Sequence, residues 1–445
     1  MGILGYWKAF WSVVPFRFFS EKTQKRIIEK RKRDIVEFAR TNSKYYGRII
    51  PKDWKSFDDI PPTTKADLLE NFDDIMTDPR VTRKAVDEQI GKIPADGSLF
   101  GKYIIVMTSG STGTPLIAVQ DPGFTDRDSV ASIFRGLRWA IPIAGVTTTQ
   151  EFSVEAERVK KNQKMSKFIN NIVSYLDSTE PPLTVAKKLE KMQPKTIVGY
   201  SSVILLIANA VLENNIRIRA KHVFLSGEAF SESDKKRIQQ AFPMARVSGI
   251  YGCTEGGAMA YECKYGHLHV NGDLVLLEAV DKDFKSLPYD TPSDQTLLTC
   301  YFNHIQPLIR FTLGDRITLH HGCPCGCHDD WLEIQGRAND LLPFKSGDKT
   351  VYCSPMNILI FMDRFYCEGL KNFREYQIVL HDGNALELRL DCYEPEKREE
   401  IFEEVSSGFR EYLSSLGIEG VDIYLSDLLP QETTASGKRK RIYMA

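Results

Sequence analysis

The chain has 445 residues, 42% of them hydrophobic, which is enough for more than one compact core and excludes a mini-protein. Its 58 Lys and Arg balance 59 Asp and Glu to a formal net charge of −1, so bulk attraction to nucleic acid or to an acidic membrane does not drive binding, and any charged partner must be read locally. A charged fraction of 26%, with 30 Gly and 21 Pro, excludes collagen-like and wholly disordered chains.

The first sixteen residues are aromatic and apolar but are interrupted by Lys8 and followed by no small-residue cleavage site. They are expected to dock on the protein itself rather than act as a signal peptide or lie at a membrane interface. Residues 20–42 place Ile27, Ile28, Ile35, Val36 and Phe38 near a helical period on a basic helix whose Lys and Arg form its solvated face. From Tyr103 short apolar strands alternate with helices: Tyr103 to Met107, Thr196 to Val198, His222 to Leu225 and Arg246 to Ile250. That alternation reads as α/β. The apolar stretch from Ser201 to Leu212 is too short for a bilayer and reads as a buried helix, and no apolar run reaches transmembrane length.

After Leu274 the strands become hairpin-like, as in Thr296 to Tyr301 and Leu308 to Thr312, which predicts an antiparallel subdomain. A last unit begins near Asn339. It contains Tyr376 to Leu380, an Asp382-Gly383 turn, Ala385 to Leu390, and a helix with Ile401, Phe402, Val405, Phe409, Leu413 and Leu416 on one face. Nine cysteines, none before Cys253, are too sparse for a disulfide scaffold and fit a reducing cytosol, so a cytoplasmic location is expected.

Five segments could carry chemistry. Thr108-Ser-Gly-Ser-Thr-Gly-Thr-Pro115 follows an apolar strand and offers backbone N–H groups, hydroxyls and unobstructed glycines to a polyphosphate. It lacks the Lys of a Walker A loop, and an ordinary Ser/Gly turn is the plainer alternative. In Tyr251-Gly-Cys-Thr-Glu-Gly-Gly257, Glu255 could ligate Mg²⁺ while the Tyr251 ring packs on a flat base. In Arg310-Phe-Thr-Leu-Gly-Asp-Arg316, Asp315 could accept both hydroxyls of a ribose, or could be half of a buried Asp–Arg pair. Gly336-Arg-Ala-Asn-Asp340 and the basic tail Ser436-Gly-Lys-Arg-Lys-Arg441 complete the set. Alone, the tail reads as a solvated charge run.

In this order and spacing the five segments resemble the adenylate-forming superfamily of acyl-CoA synthetases, peptide-synthetase adenylation domains and luciferases. The phosphate loop ending Thr-Pro-Leu, and the cysteines after the Tyr-Gly-x-Thr-Glu segment, make the phenylacetate-CoA ligase branch the most similar. The likeness runs from about residue 60 to the C-terminus. It implies a large N-terminal domain, residues 1–338, of α/β sheets plus an antiparallel β subdomain, and a small mobile α+β domain, residues 339–445. It also implies an enzyme that activates an aryl or small acyl carboxylic acid with ATP, releases pyrophosphate and passes the acyl-adenylate to CoA. An amine or carrier-protein thiol as acceptor, and a catalytically silent nucleotide-binding homologue, are the alternatives.

By this resemblance Thr108, Ser109, Gly110, Ser111, Thr112 and Gly113 hold the β and γ phosphates. Gly227, Glu228, Ala229 and Tyr251 border the adenine, Gly252 and Thr254 also bind the nucleotide, Glu255 binds Mg²⁺, Asp315 holds the ribose, and Arg337 touches ribose or α-phosphate. Lys438 stabilises the pentavalent α-phosphate from the mobile domain, as a point charge on a long stem can. Asn339 stands at the hinge, where Asp or Lys is usual. Tyr200, Gly256 and Gly257 are the expected acid-lining residues, the small ones admitting a flat ring. No Gly-x-Ser-x-Gly elbow is present, which argues against a hydrolase. Nucleic acid is not an expected partner, and a homodimer is left open.

Separately, Cys263-Lys-Tyr-Gly-His-Leu-His269 and Cys323-Pro-Cys-Gly-Cys-His328 bring thiolates and imidazoles from two hairpin-like segments, a pattern suited to one tetrahedral structural Zn²⁺. Cys263, His269, Cys323 and Cys325 are the expected ligands, with His267, Cys327 and His328 in reserve. Buried structural thiols beside surface histidines are the alternative.

Overall fold

The computed structural model describes residues 3–90, 98–107, 116–136, 140–148, 172–347, 349–367, 372–382, 384–432 and 438–445. The chain divides into two compact units. The first comprises Met1–Ile143, Thr148–Tyr175 and Ser248–Ile334; the second comprises Ala144–Thr147, Leu176–Val247 and Gln335–Ala445.

In the first unit, the helix Ile3–Val13 leads through a short turn, Pro15–Phe18, into the basic helix Glu21–Asn42, whose N-terminus is capped by the Ser20 side chain. The basic helix buries Ile35, Val36 and Ala39 and leaves most of its charges outside, as its period requires. The N-terminal segment docks by one face only: Ala9, Val13 and Phe16 are buried, whereas Trp7, Trp11 and Phe18 are exposed.

Antiparallel pairing dominates this unit. Val275–Val280, Gln295–Cys300 and Phe311–Thr312 form one sheet. A second run goes in the order Asp315–His320, Trp331–Arg337, Leu268–Val270, Gly257–Glu262, Arg246–Cys253. The strand Tyr103–Met107, expected to open an α/β alternation, instead pairs antiparallel with Ser98–Leu99 and Ile117–Gln120. Met107 stands opposite Ile117, and the intervening nine residues are too few for a parallel crossover. The expected strand Leu308 to Thr312 is shorter, Phe311–Thr312, because Arg310 adopts φ +48° and spends its N–H on Thr299 Oγ1.

The second unit is built on a βαβ crossover. Thr196–Tyr200 and His222–Ser226 pair in parallel, joined through the helix Ser201–Glu213, and Tyr200 stands opposite Ser226. Residues 335–445 contribute a hairpin, Leu342–Ser346 with Lys349–Cys353, and a four-stranded sheet ordered Asp422–Leu425, Ala385–Cys392, Phe373–His381, Ile442–Met444. These residues share one apolar core with the crossover helices, in which Ile204, Ile207, Phe242, Ile358, Phe373 and Phe409 are all fully buried. The helix Ser201–Glu213 is buried nearly all round, and no helix among the described residues is long and apolar enough to cross a membrane. On the helix Arg398–Ser415, Ile401, Val405, Phe409 and Leu413 are buried, while Leu416 lies past its end.

Candidate functional site

In the first unit, the candidate residues collect where the strand Arg246–Cys253 turns into Gly257–Glu262. Tyr251 Oη donates to Asp315 Oδ2 at 2.7 Å, joining two motifs 64 residues apart. The backbone between them is held from both sides: Gln120 Nε2 donates to the Thr254 carbonyl at 2.9 Å, and Cys300 Sγ approaches the Glu255 carbonyl at 3.6 Å. Burial first, then the Glu255 charge and more weakly that of Asp315, push the Cys253 thiol well above its ordinary value. Within this motif a buried arginine–carboxylate pairing is made by Arg310. Arg316 Nε donates to the Ser293 carbonyl, and the fully buried arginine is Arg310, which meets Glu278 at 3.2 Å and Asp58 at 3.3 Å.

The glycines here answer to packing. A Cβ on Gly252 would stand 2.5 Å from the Gly257 carbonyl, one on Gly256 would strike Met259 Sδ at 2.7 Å, and one on Gly257 (φ +64°) would meet Asp128 Oδ1 at 2.6 Å. The space left by the missing side chains at 256 and 257 is thus filled by the protein's own atoms. Residues 108–115, the hydroxyl-rich loop with Thr108, Ser109, Gly110, Ser111, Thr112 and Gly113, lie outside the described residues. Its flanking strands are tied to the Thr254 turn by Gln120.

In the second unit, the carboxyl ends of the parallel strands bring Tyr200 and Gly227–Glu228 together, the place where open parallel sheets bind ligands. Gly227 takes φ +74°, and its missing Cβ would lie 3.0 Å from the Tyr200 ring. The Glu228 carboxylate accepts from Ser202 N at 3.1 Å and Ser202 Oγ at 2.7 Å, capping the buried helix. Burial raises its pKa, opposed by those hydrogen bonds and by Lys438. Lys438 Nζ sits 4.3 Å from the centroid of the Tyr200 ring, a cation–π contact beside Gly227.

The basic tail is not a solvated run. Arg439 N–H donates to Ser202 Oγ, and its guanidinium pairs with Glu375. Lys440 reaches Asp340 at 2.9 Å, and Arg441 forks onto Asp234 at 2.9 and 2.6 Å. Three carboxylates on separate elements therefore fix the residues following Lys438. Arg337 is exposed at the end of its strand, and Asn339 lies in the 3-10 turn Ala338–Asp340.

The cysteine–histidine cluster lies wholly in the first unit. The ligating atoms of Cys263, His269, Cys323 and Cys325 all fall within 4.8 Å of one another. Cys263 and Cys323 sulfurs are 3.8 Å apart, and Cys325 Sγ is 3.4 Å from His269 Nε2. A tetrahedral zinc with bonds near 2.3 Å to sulfur requires S···S separations of about 3.8 Å, so the donor set fits that ion. His269 Nδ1 lies 3.1 Å from the Asp329 carbonyl, which holds the ring so that Nε2 faces the sulfurs. Of the reserve residues, His267 Nδ1 is 3.2 Å from Cys323 Sγ with its ring stacked on Trp331, and Cys327 turns away to Asp329.

Sequence reasoning missed Ser202, which links Glu228 to the tail, and Asp128, which bonds Ala258 N at 2.9 Å beneath the glycine turn. Ser202 stood inside a recognised segment and could have been read as a helix cap; Asp128 lies mid-helix and carries no local signal.

No model of a known protein family matches the chain. Protein CapK of Staphylococcus aureus is 25% identical over 372 residues, spanning 79% of this chain and 77% of CapK. Among solved structures, 2-hydroxyisobutyryl-CoA ligase in the postadenylation state with R3-HIB-AMP aligns with a TM-score of 0.71 at 17% identity, over 97% of this chain and 91% of the ligase. The amide bond synthetase McbA from Marinactinospora thermotolerans aligns with a TM-score of 0.53 at 13% identity, over 76% and 67%. The chain has the α/β fold of the adenylate-forming enzymes.

Proposed function

We propose that the protein is an adenylate-forming ligase that activates an aryl or small acyl carboxylic acid with ATP and passes the acyl group to CoA. The observation that carries this reading is Lys438, a tail ammonium held against Tyr200 and beside the Gly227–Glu228 turn by its ion-paired neighbours. A carboxylate is a poor electrophile; attack on the α-phosphate with loss of pyrophosphate makes it a mixed anhydride that a thiol opens. The protein's work is positioning and charge neutralisation, so no protein nucleophile is needed.

In this reading residues 108–113 cradle the phosphates through backbone N–H groups, and Asp315, its second oxygen already engaged by Tyr251, accepts from the ribose. Gly227 to Ala229, Tyr251, Gly252 and Thr254 border the base, and Arg337 meets the ribose or α-phosphate. Lys438 neutralises charge that develops on the α-phosphate. Tyr200 and the backbone of Gly256 and Gly257 face the acid. Glu255 is the residue suited to hold Mg²⁺, which would offset phosphate charge. Cys263, His269, Cys323 and Cys325 suit a structural Zn²⁺ with no open position for water. Residues 1–338 bind ATP and acid; residues 339–445 act as the smaller, mobile part that delivers Lys438. CoA is the acceptor in this reading, with an amine or a carrier-protein thiol as the alternative.

ATP–pyrophosphate exchange over a panel of aryl and short acyl acids tests the reading. Acid-dependent exchange is expected, and silence across the panel refutes it. Lys438→Ala should lower exchange by about 10²–10³-fold, as the loss of one charge-stabilising group does, while ATP binding changes little. Supplying CoA or amines to the loaded enzyme then separates the two acceptors.

A further inference from the structure

The N-terminal helix Ile3–Val13 has two faces. Ala9 and Val13 are fully buried, while Trp7 and Trp11, one turn apart and roughly 160° around the helix from them, are 54% and 67% exposed. Phe18, in the turn that follows, is 85% exposed, and Phe19 is 41% exposed. Phe10 packs edge-on against both tryptophans and against Phe134, so the exposed rings stand on a fixed base. This aromatic patch runs directly into the basic helix Glu21–Asn42. Residues 1–42 hold ten Lys and Arg against four Asp and Glu, in a chain whose net charge is −1.

Within that helix Lys22, Arg26 and Arg33 fall within about 40° of one another around the axis, all exposed and with no ion-pair partner among the described residues. The two segments are locked together. Buried Gln24 donates to the carbonyls of Phe16 and Phe19, each at 3.1 Å, and Arg31 donates to the carbonyl and hydroxyl of Ser12 at 3.3 and 3.1 Å.

We propose that these two helices form a docking surface for an anionic phospholipid bilayer, with Trp7, Trp11 and Phe18 entering the headgroup region and Lys22, Arg26 and Arg33 meeting lipid phosphates. Exposed tryptophan is the side chain best suited to that boundary, being apolar in body and polar at its indole N–H. Unpaired cations on the adjoining helix supply attraction to acidic lipid, and the two contributions together give stable peripheral binding where either alone is marginal. The other helix face is committed to the protein core, so the segment lies along the membrane surface and does not cross it. This inference is independent of the catalytic reading.

Flotation of the full chain with vesicles of phosphatidylcholine and phosphatidylglycerol at 7:3, against phosphatidylcholine alone, tests it. We expect about ten-fold stronger binding to the anionic vesicles, weakened in 0.5 M NaCl. Two variants, each first checked for unchanged thermal unfolding, should each lose about ten-fold in binding: Trp7→Ala/Trp11→Ala/Phe18→Ala and Lys22→Glu/Arg26→Glu. Absence of binding to anionic vesicles, or binding by either variant as strong as that of the wild type, overturns the proposal. So does sedimentation velocity showing a concentration-dependent dimer that the aromatic variant abolishes, because the patch then covers a second copy of the chain.

Discussion

The anchoring of the N-terminal helix can be tested through Asp273. Arg135 forks onto this carboxylate at 2.6 and 2.8 Å, with both side chains almost completely buried, and Arg31 approaches it at 3.5 Å. Burial opposes the Arg135 charge, and Asp273 more than offsets that. Removing one partner of a buried ion pair costs about 3–5 kcal/mol, because the other charge is left in the interior. Asp273→Asn retains one carbonyl acceptor, and Arg135 keeps Asn271 Oδ1 at 3.0 Å and the Val13 carbonyl at 2.9 Å, which argues for the lower end, about 3 kcal/mol. Urea denaturation of the variant beside wild type measures the loss. Hydrogen exchange in Ile3–Val13 gives the local readout, because Arg135 and Arg31 reach from this cluster to Val13 and Ser12. A loss below about 1 kcal/mol with unchanged exchange would refute the view that a buried charge cluster pins this helix.

The cysteine–histidine cluster, read as a zinc site, predicts one zinc per chain by elemental analysis, lost in Cys323→Ser and retained in Cys327→Ser; a metal-free wild type removes the site. Gly252→Ala, which forces a methyl to 2.5 Å from a backbone carbonyl, should cost about 2 kcal/mol and weaken nucleotide binding through Tyr251, and full stability would contradict the packing account. The Glu387 carboxyl is held down to about 2 by hydrogen bonds, first from Arg389 and then from Ser426 and His381, which outweigh the effect of burial. Its stabilisation is therefore present above the unfolded value near 4.5 and is lost as pH falls from there toward 2, a contribution of order 2–3 kcal/mol. Glu387→Gln should flatten the acid limb of the stability profile across that window, and an unchanged limb would assign the pH dependence to other groups.

Local chemistry was readable wherever a residue type answers to a local demand. The period of the basic helix, the buried helix after Tyr200 and the meeting of Cys263, His269, Cys323 and Cys325 in one cluster were legible in spacing, because helical faces and tetrahedral donor sets impose it. Long-range partnerships were not readable. The pairing of Tyr103–Met107 depends on a strand beyond the glycine-rich segment, and the shortened strand at Arg310 depends on its positive φ and on its N–H bond to Thr299 of another strand. The glycines at 256 and 257 suggested room for a ring, yet Met259, Leu298 and Asp128 fill that space, and nothing in the local sequence announces those neighbours. The cationic tail was ambiguous for the same reason: its carboxylate partners at 234, 340 and 375 lie 64 to 207 residues away.

Those three partners differ in how far water reaches them. Around Arg441 and Asp234 the side chains are 12% and 3% exposed, around Arg439 and Glu375 they are 22% and 10%, and around Lys440 and Asp340 they are 45% and 29%. Mobile ions weaken an open pair long before a sheltered one. Rising salt is therefore expected to weaken the middle clasp at Lys440 first and the sheltered fork at Arg441 last. In the proposed reaction, a tail graded in this way would keep its anchorage at Arg441 while the end that carries Lys438 loosens.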